Sequence, residues 1–99
     1  MTDSDDEIRY EAARAAGELE IEEAVPDLAK LASDPDREIQ EVAIWSLGEI
    51  GGDESLRILN HLLQRAMKAK DEGLKDAIEE AIGNASLSRG ALYMLDYGD

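Results

Sequence analysis

The sequence predicts an all-α fold, a short α-solenoid of three antiparallel helix pairs, and three observations lead there. The first is internal repetition. Asp36-Arg37-Glu38-Ile39 through Leu47-Gly48-Glu49-Ile50 rewrites Asp5-Asp6-Glu7-Ile8 through Ala16-Gly17-Glu18-Leu19 at an offset of 31 positions. A third copy follows at an offset of 35, which carries Ile39 to Leu74, Leu47 to Ile82 and Gly48 to Gly83. A near-constant period of this size marks supersecondary units that are each too small to bury their own apolar face. The second observation is composition: Ala, Leu and Glu dominate, Phe is absent and only two prolines occur, which favours helix by propensity. The third is spacing. Ile39, Val42, Ala43, Ser46, Leu47 and Ile50 form a stripe at the period of about 3.6 residues that one face of a helix requires.

The elements follow in order. Repeat one spans about residues 3–33, with a first helix from about Ser4 to Leu19 and a second from about Glu23 to Ala32. Pro26 is tolerable there because it lies near the first turn. Glu20-Ile21 stands where the second repeat has Gly51-Gly52, so this turn is expected to be less sharply defined. Repeat two spans about 34–68. Asp34 is placed to cap its first helix and Pro35 to take the first helical position. Gly51-Gly52 closes that helix, because glycine accepts the left-handed conformation beyond a C-cap. Asp53 is then expected to cap the next helix, whose apolar face is Leu56, Leu59, Leu63 and Ala66. Repeat three spans about 69–99, and its four additional residues equal about one helical turn. They lengthen the second helix of repeat two through Arg65-Ala66-Met67-Lys68-Ala69. Asp71-Glu72 starts the following helix. Ser86 or Ser88 caps the last one, which Leu92-Tyr93-Met94-Leu95 fills. Residues 1–99 thus read as one domain.

Asp3 stands where Asp34 stands, so the chain opens on a repeat boundary. Ile44 and Trp45 flank the apolar stripe of the central repeat, where neighbours on both sides would bury them. Their counterparts are Ala13-Arg14 in repeat one and Glu79-Glu80 in repeat three, and polar flanks suit terminal repeats. The expectation is a complete three-pair stack with Trp45 in its core.

Charge narrows the partners. The chain carries a formal net charge of −14. Residues 1–54 hold 17 acidic and 4 basic side chains, residues 55–99 only 7 and 6. Such a field repels nucleic acid and anionic membrane. It serves solubility, and it also suits a partner with a basic surface. There is no cysteine, so neither a disulfide framework nor a thiolate site arises. No run approaches the roughly 20 apolar residues of a membrane span, and the acidic N-terminus is the opposite of a signal peptide. A cytoplasmic location is expected.

At Ala43-Ile44-Trp45-Ser46-Leu47-Gly48-Glu49-Ile50-Gly51-Gly52-Asp53-Glu54 the chain resembles the HEAT-like repeats, including the short-repeat type found in phycobilisome lyases. Glu23-Ala24-Val25-Pro26-Asp27-Leu28 and Leu31-Ala32-Ser33-Asp34-Pro35-Asp36 extend the match, which covers about residues 3–83. The resemblance implies a right-handed stack of antiparallel helix pairs whose second helices line the concave face. Its members serve as scaffolds, adaptors, lyase accessories and occasionally enzymes. A HEAT-type hydroxylase binds its metal through His-Glu pairs on successive repeats. The only histidine here, His61, is followed by Leu62, which departs from that pattern.

Among candidate sites the second helix of repeat two offers the best surface. Arg57, Asn60, His61, Gln64 and Lys68 share one stripe opposite Leu59, Leu63 and Ala66, with Arg65 at its edge. The same register places Lys30 and Ser33 on repeat one, and Leu92, Leu95 and Asp96 on repeat three. A locally basic groove on an acidic protein points to an acidic or amphipathic peptide. His61 without a second histidine or any cysteine makes no metal site, and no serine has an oriented base beside it. No catalytic residue and no cofactor are therefore expected. Asn84-Ala85-Ser86 matches a glycosylation sequon by chance. Leu92 and Leu95 sit where the pattern wants polar residues. Tucking against the preceding helix, a homodimer seam, and docking of a further segment compete to explain them. The expected function is a non-catalytic protein-interaction or scaffold module that binds through the concave face. The alternatives are an accessory subunit or small relative of a phycobilin lyase, and a purely structural oligomerisation domain.

Overall fold

The computed structural model describes residues 2–87, with side chains from residue 5 onward. Five α-helices and one short 3-10 turn follow in chain order: α1 (Thr2–Glu18), the 3-10 turn (Glu22–Ala24), α2 (Val25–Leu31), α3 (Arg37–Ile50), α4 (Gly52–Ala69) and α5 (Glu72–Ser86). No strand occurs among the described residues. The last expected helix, with Leu92 and Leu95, lies outside them. Ser86, read as its cap, is the final residue of α5, and Leu87 beyond it remains right-handed helical.

Helix α3 is the hub. It packs against α1 on one flank and α5 on the other, and also touches α2 and α4, while α4 lies along α5. Its sequence explains the position: eight of its 14 residues are buried, among them Ile39, Val42, Ile44, Leu47 and Ile50. Burying a side chain of that size is worth about 1.5–3 kcal/mol, so α3 supplies much of the core. Repeat-equivalent residues differ by their neighbours. Ile39 on α3 is 1% exposed, whereas Ile8, its counterpart on the outer helix α1, is 66% exposed.

Close helix approach rests on repeat-equivalent glycines. A Cβ on Gly17 would lie 2.8 Å from the Ser46 Cα, and one on Gly48 would lie 2.9 Å from the Ala81 Cα. Ser46 and Ala81 are themselves equivalent at the offset of 35. The buried Ser46 hydroxyl donates to the Ala13 carbonyl at 2.6 Å, which ties α3 to α1. Gly83, the third copy, meets no atom within 4 Å among the described residues.

Several helix boundaries differ from the sequence expectations. Asp36, not Asp34, is the N-cap of α3, and its carboxylate accepts from the Glu38 and Ile39 amides. Asp34 is held elsewhere: it accepts the Asp36 amide at 2.8 Å and pairs with Arg9 of α1. Pro35 therefore lies in the turn rather than in the helix. Asp53 is not a cap either. The chain swings through Gly51 at φ 69°, and α4 starts directly at Gly52, which puts Asp53 in the first turn. Acids there favour the N-terminal end of the helix dipole. In α4, Leu59, Leu62 and Ala66 are buried, whereas Leu56 and Leu63 are half-buried. The expected stripe is thus rotated slightly, and Ser55 joins its buried side.

The Glu20-Ile21 turn is sharply defined despite lacking glycine. Glu20 takes φ 53°. The Ile21 amide donates to Ala16 O at 2.9 Å and the Glu20 amide to Gly17 O at 3.2 Å, the paired bonds of a Schellman motif. Lys70 closes α4 in the same way at φ 58°, with Asp71 N donating to Ala66 O at 3.0 Å.

The α3–α5 seam is also bridged by charge. Arg37 donates from Nη1 and Nη2 to the Asp71 carboxylate at 2.9 and 3.0 Å, and from Nε to Glu41 at 3.0 Å. Asp71 is at the same time the N-cap of α5. Hydrogen bonding from Arg37, then from the Leu74 amide, lowers its carboxyl from 3.8 to about 2. Asp71 and Glu41 in turn raise the Arg37 guanidinium above its ordinary value.

Candidate interaction surface

The residues proposed from sequence fall on an exposed face. Arg57, Asn60, His61, Gln64 and Lys68 all project from α4 on the side away from Leu59, Leu62 and Ala66, and every one is exposed. The 18-residue length of α4 makes this row possible, since α2 has only 7 residues. Asn60 Nδ2 donates to Leu56 O at 3.0 Å, which anchors that amide along the helix. Arg65, at the edge of the row, reaches the Ser33 hydroxyl at 3.4 Å, so the end of α2 meets α4. Lys30 lies exposed in the last turn of α2. Among the described residues Lys30, Arg57, His61 and Lys68 form no ion pair. Leu92 and Leu95 lie outside the described residues.

A second surface was not anticipated. Trp45 is not a core residue: it is 37% exposed, while its neighbour Ile44 is 1% exposed. Trp45 lines a groove of about 490 Å³ along the α1–α3 seam with Tyr10, Arg14, Glu18, Glu38, Glu41 and Val42. A smaller hollow of about 150 Å³ on its other side is lined by Glu41, Ala77, Glu80 and Asn84. The signal that could have revealed this was present. The repeat equivalents of Trp45 are Arg14 and Glu80, so this register position faces water in all three repeats. Reading those charges as marks of terminal repeats concealed it. Met67, 54% exposed beside the α4 row, was also not singled out.

No group of three or more His, Asp or Glu residues with metal-binding geometry occurs among the described residues. No helix among them is long and apolar enough to cross a membrane. Ser55 Oγ is buried without a hydrogen-bond partner among the described residues, and it lies in the first turn of α4 on the buried side of that helix.

These features define an all-helical repeat protein whose helices meet at small residues and whose outward faces carry the variable chemistry. The HEAT repeats family model matches residues 1–85, and the chain belongs to that family. HEAT repeats generally mediate protein–protein interaction, and the family is typically made of non-enzymatic scaffolds. No curated protein and no solved structure matches the chain significantly.

Proposed function

We propose that this chain is a non-catalytic interaction module that holds an acidic or amphipathic segment of another protein along α4. In this reading residues 1–99 form one domain, a right-handed solenoid of three antiparallel helix pairs with repeats at about 3–33, 34–68 and 69–99. The second helices line its concave face, and the protein works in the cytoplasm. The observation that carries the reading is the row itself. Arg57, Asn60, His61, Gln64 and Lys68 are exposed on one face of one helix, with cations that no described carboxylate neutralises. In a chain of net charge −14, unpaired cations gathered on one face attract a complementary partner and fix its register. By register Lys30 extends the surface on one side and Leu92 and Leu95 on the other, which suits a segment with both acidic and apolar side chains.

Reversing Arg57→Glu together with Lys68→Glu tests this reading. Binding of an amphipathic helical peptide with glutamates along its polar face should weaken by about tenfold or more. The thermal midpoint should stay nearly unchanged, because exposed substitutions are usually worth less than about 0.5 kcal/mol. Unchanged affinity for that peptide would sink the reading.

A further inference from the structure

We infer that the α1–α3 groove is a second docking surface, and that its occupant is a basic segment of a partner protein whose lysine or arginine side chain seats against Trp45. Three independent observations converge. Trp45 is the largest side chain of the molecule and stands 37% exposed within its acidic half, although the adjacent Ile44 is buried. A tryptophan left in water forgoes stabilisation that burial would supply, and Trp and Tyr are enriched where binding energy concentrates. The groove is concave and aromatic on both walls, Tyr10 from α1 and Trp45 from α3. Its charge is complementary to a cation, three carboxylates standing against one base in the lining. The one base in its lining, Arg14, is engaged by Glu18 at 3.1 Å. Glu41 shares Arg37 with Asp71, and Glu38 has no ion-pair partner among the described residues. The hollow next along the seam, also lined by Tyr10 and Glu38, adds Glu7 and Glu11.

An indole face flanked by carboxylates is a cation receptor. The ring quadrupole attracts a guanidinium or ammonium within about 6 Å of its centre, and the carboxylates steer the approaching segment. A second copy of this chain is the poorer occupant, because two molecules of net charge −14 repel one another.

Trp45 is the only tryptophan, so its emission reports on its own surroundings, and the Glu38 variant ties the signal to this groove, because Glu38 lines it and not the smaller hollow. The probe is a short acetylated, amidated peptide of alternating arginine and alanine, titrated into the full chain at low ionic strength. A saturable change in Trp45 emission is expected, weakening as salt is added. Glu38→Gln with Glu41→Gln should reduce the affinity roughly three- to tenfold. Trp45→Leu, which keeps apolar bulk but removes the π face, should cause a similar loss by calorimetry at an unchanged thermal midpoint. Arg57→Glu with Lys68→Glu on α4, compared at about 0.15 M salt where exposed charges more than about 8 Å apart are largely screened, should not weaken the affinity, so this surface and the α4 surface stand or fall separately. The inference is overturned by the absence of saturable change, by an equal response to a glutamate–alanine peptide, or by carboxamide variants that bind as tightly as the parent. A shift in Trp45 emission on concentrating the protein alone would overturn it too, by showing a second copy in the groove.

Discussion

The α1–α3 seam and the α3–α5 seam solve the same packing problem with equivalent residues, yet they leave different surfaces above them. In the first, Gly17 admits Ser46, and in the second Gly48 admits Ala81. Each seam also carries an arginine that crosses it, Arg9 to Asp34 and Arg37 to Asp71. A hollow over the first seam holds about 490 Å³ between Tyr10 and Trp45, whereas one over the second, which Trp45 also lines, holds about 150 Å³ and has Ala77 and Glu80 on its far side. Small residues at the helix contact set how near two helices come. The side chains that flank the contact set what the seam can bind. Repetition therefore governs the inside and variation the outside.

Breaking the seams directly should have the largest effect. Gly17→Ala and Gly48→Ala both place a methyl within 3 Å of a neighbouring helix backbone. Each should destabilise by about 1–3 kcal/mol through overpacking, after any gain in helix propensity. Gly83→Ala meets open space among the described residues and should instead stabilise by up to about 1 kcal/mol. Urea midpoints of the three variants test this, and three changes of the same sign would refute the seam model.

The next effect sharpens the difference between the seams. At the first helix contact the Ser46 hydroxyl donates to Ala13 O at 2.6 Å. Ser46→Ala should cost about 1 kcal/mol by loss of that bond. At Ala81, its counterpart, the helix contact has no such bond to lose. Ser55 is the instructive contrast, because its hydroxyl is buried without a partner among the described residues. Ser55→Ala should leave stability unchanged or raise it by up to about 1 kcal/mol. Thermal melts that show equal losses for the two serines would contradict the assignment of their partners.

The smallest effect concerns the second seam alone. The Asp71 carboxyl is held at about 2 in the folded chain against 3.8 ordinarily. A depressed acid contributes stability above its unfolded value, and that contribution disappears as pH falls through the folded value. Asp71→Asn should therefore be less stable than the parent at pH 5, and the gap should close between about pH 4 and 2. Because the pair is exposed, the gap is small and should shrink further in salt. A gap that persists below pH 2, measured by denaturant midpoints, would mean that capping and not ion pairing carries the effect.

Much of this arrangement was legible from residues alone, and particular residues show where legibility ended. Pattern and propensity placed α1, α3, α4 and α5, because apolar spacing and the repeat both reflect the contact face of a helix. The cap of α3 was misplaced by two residues. Asp34-Pro35-Asp36 offers two competent caps, and the choice depends on Arg9, a residue 25 positions away that engages Asp34. The Glu20 turn was underestimated for a related reason, since the Schellman bonds to Ala16 and Gly17 hold a non-glycine residue at φ 53°. Trp45 was misread because hydrophobicity was allowed to outweigh its register, although Arg14 and Glu80 at the same position already mark that face as solvated. On the α4 side the reverse held: five polar residues at helical spacing sufficed to place an exposed row.

The sequence by itself determined the described helices, the repeat and the family, because all three follow from local periodicity and from glycines that recur at contact positions. It also determined where charge accumulates along the chain. Only the tertiary structure decided which residues share a surface. Tyr10 and Trp45 are 35 positions apart and meet across one groove only because Gly17 lets α1 approach α3. The α4 row is exposed because Leu59, Leu62 and Ala66 on the opposite side of the helix are buried in the core. Local energetics choose each element, whereas the partnership between elements depends on distances that no single segment encodes.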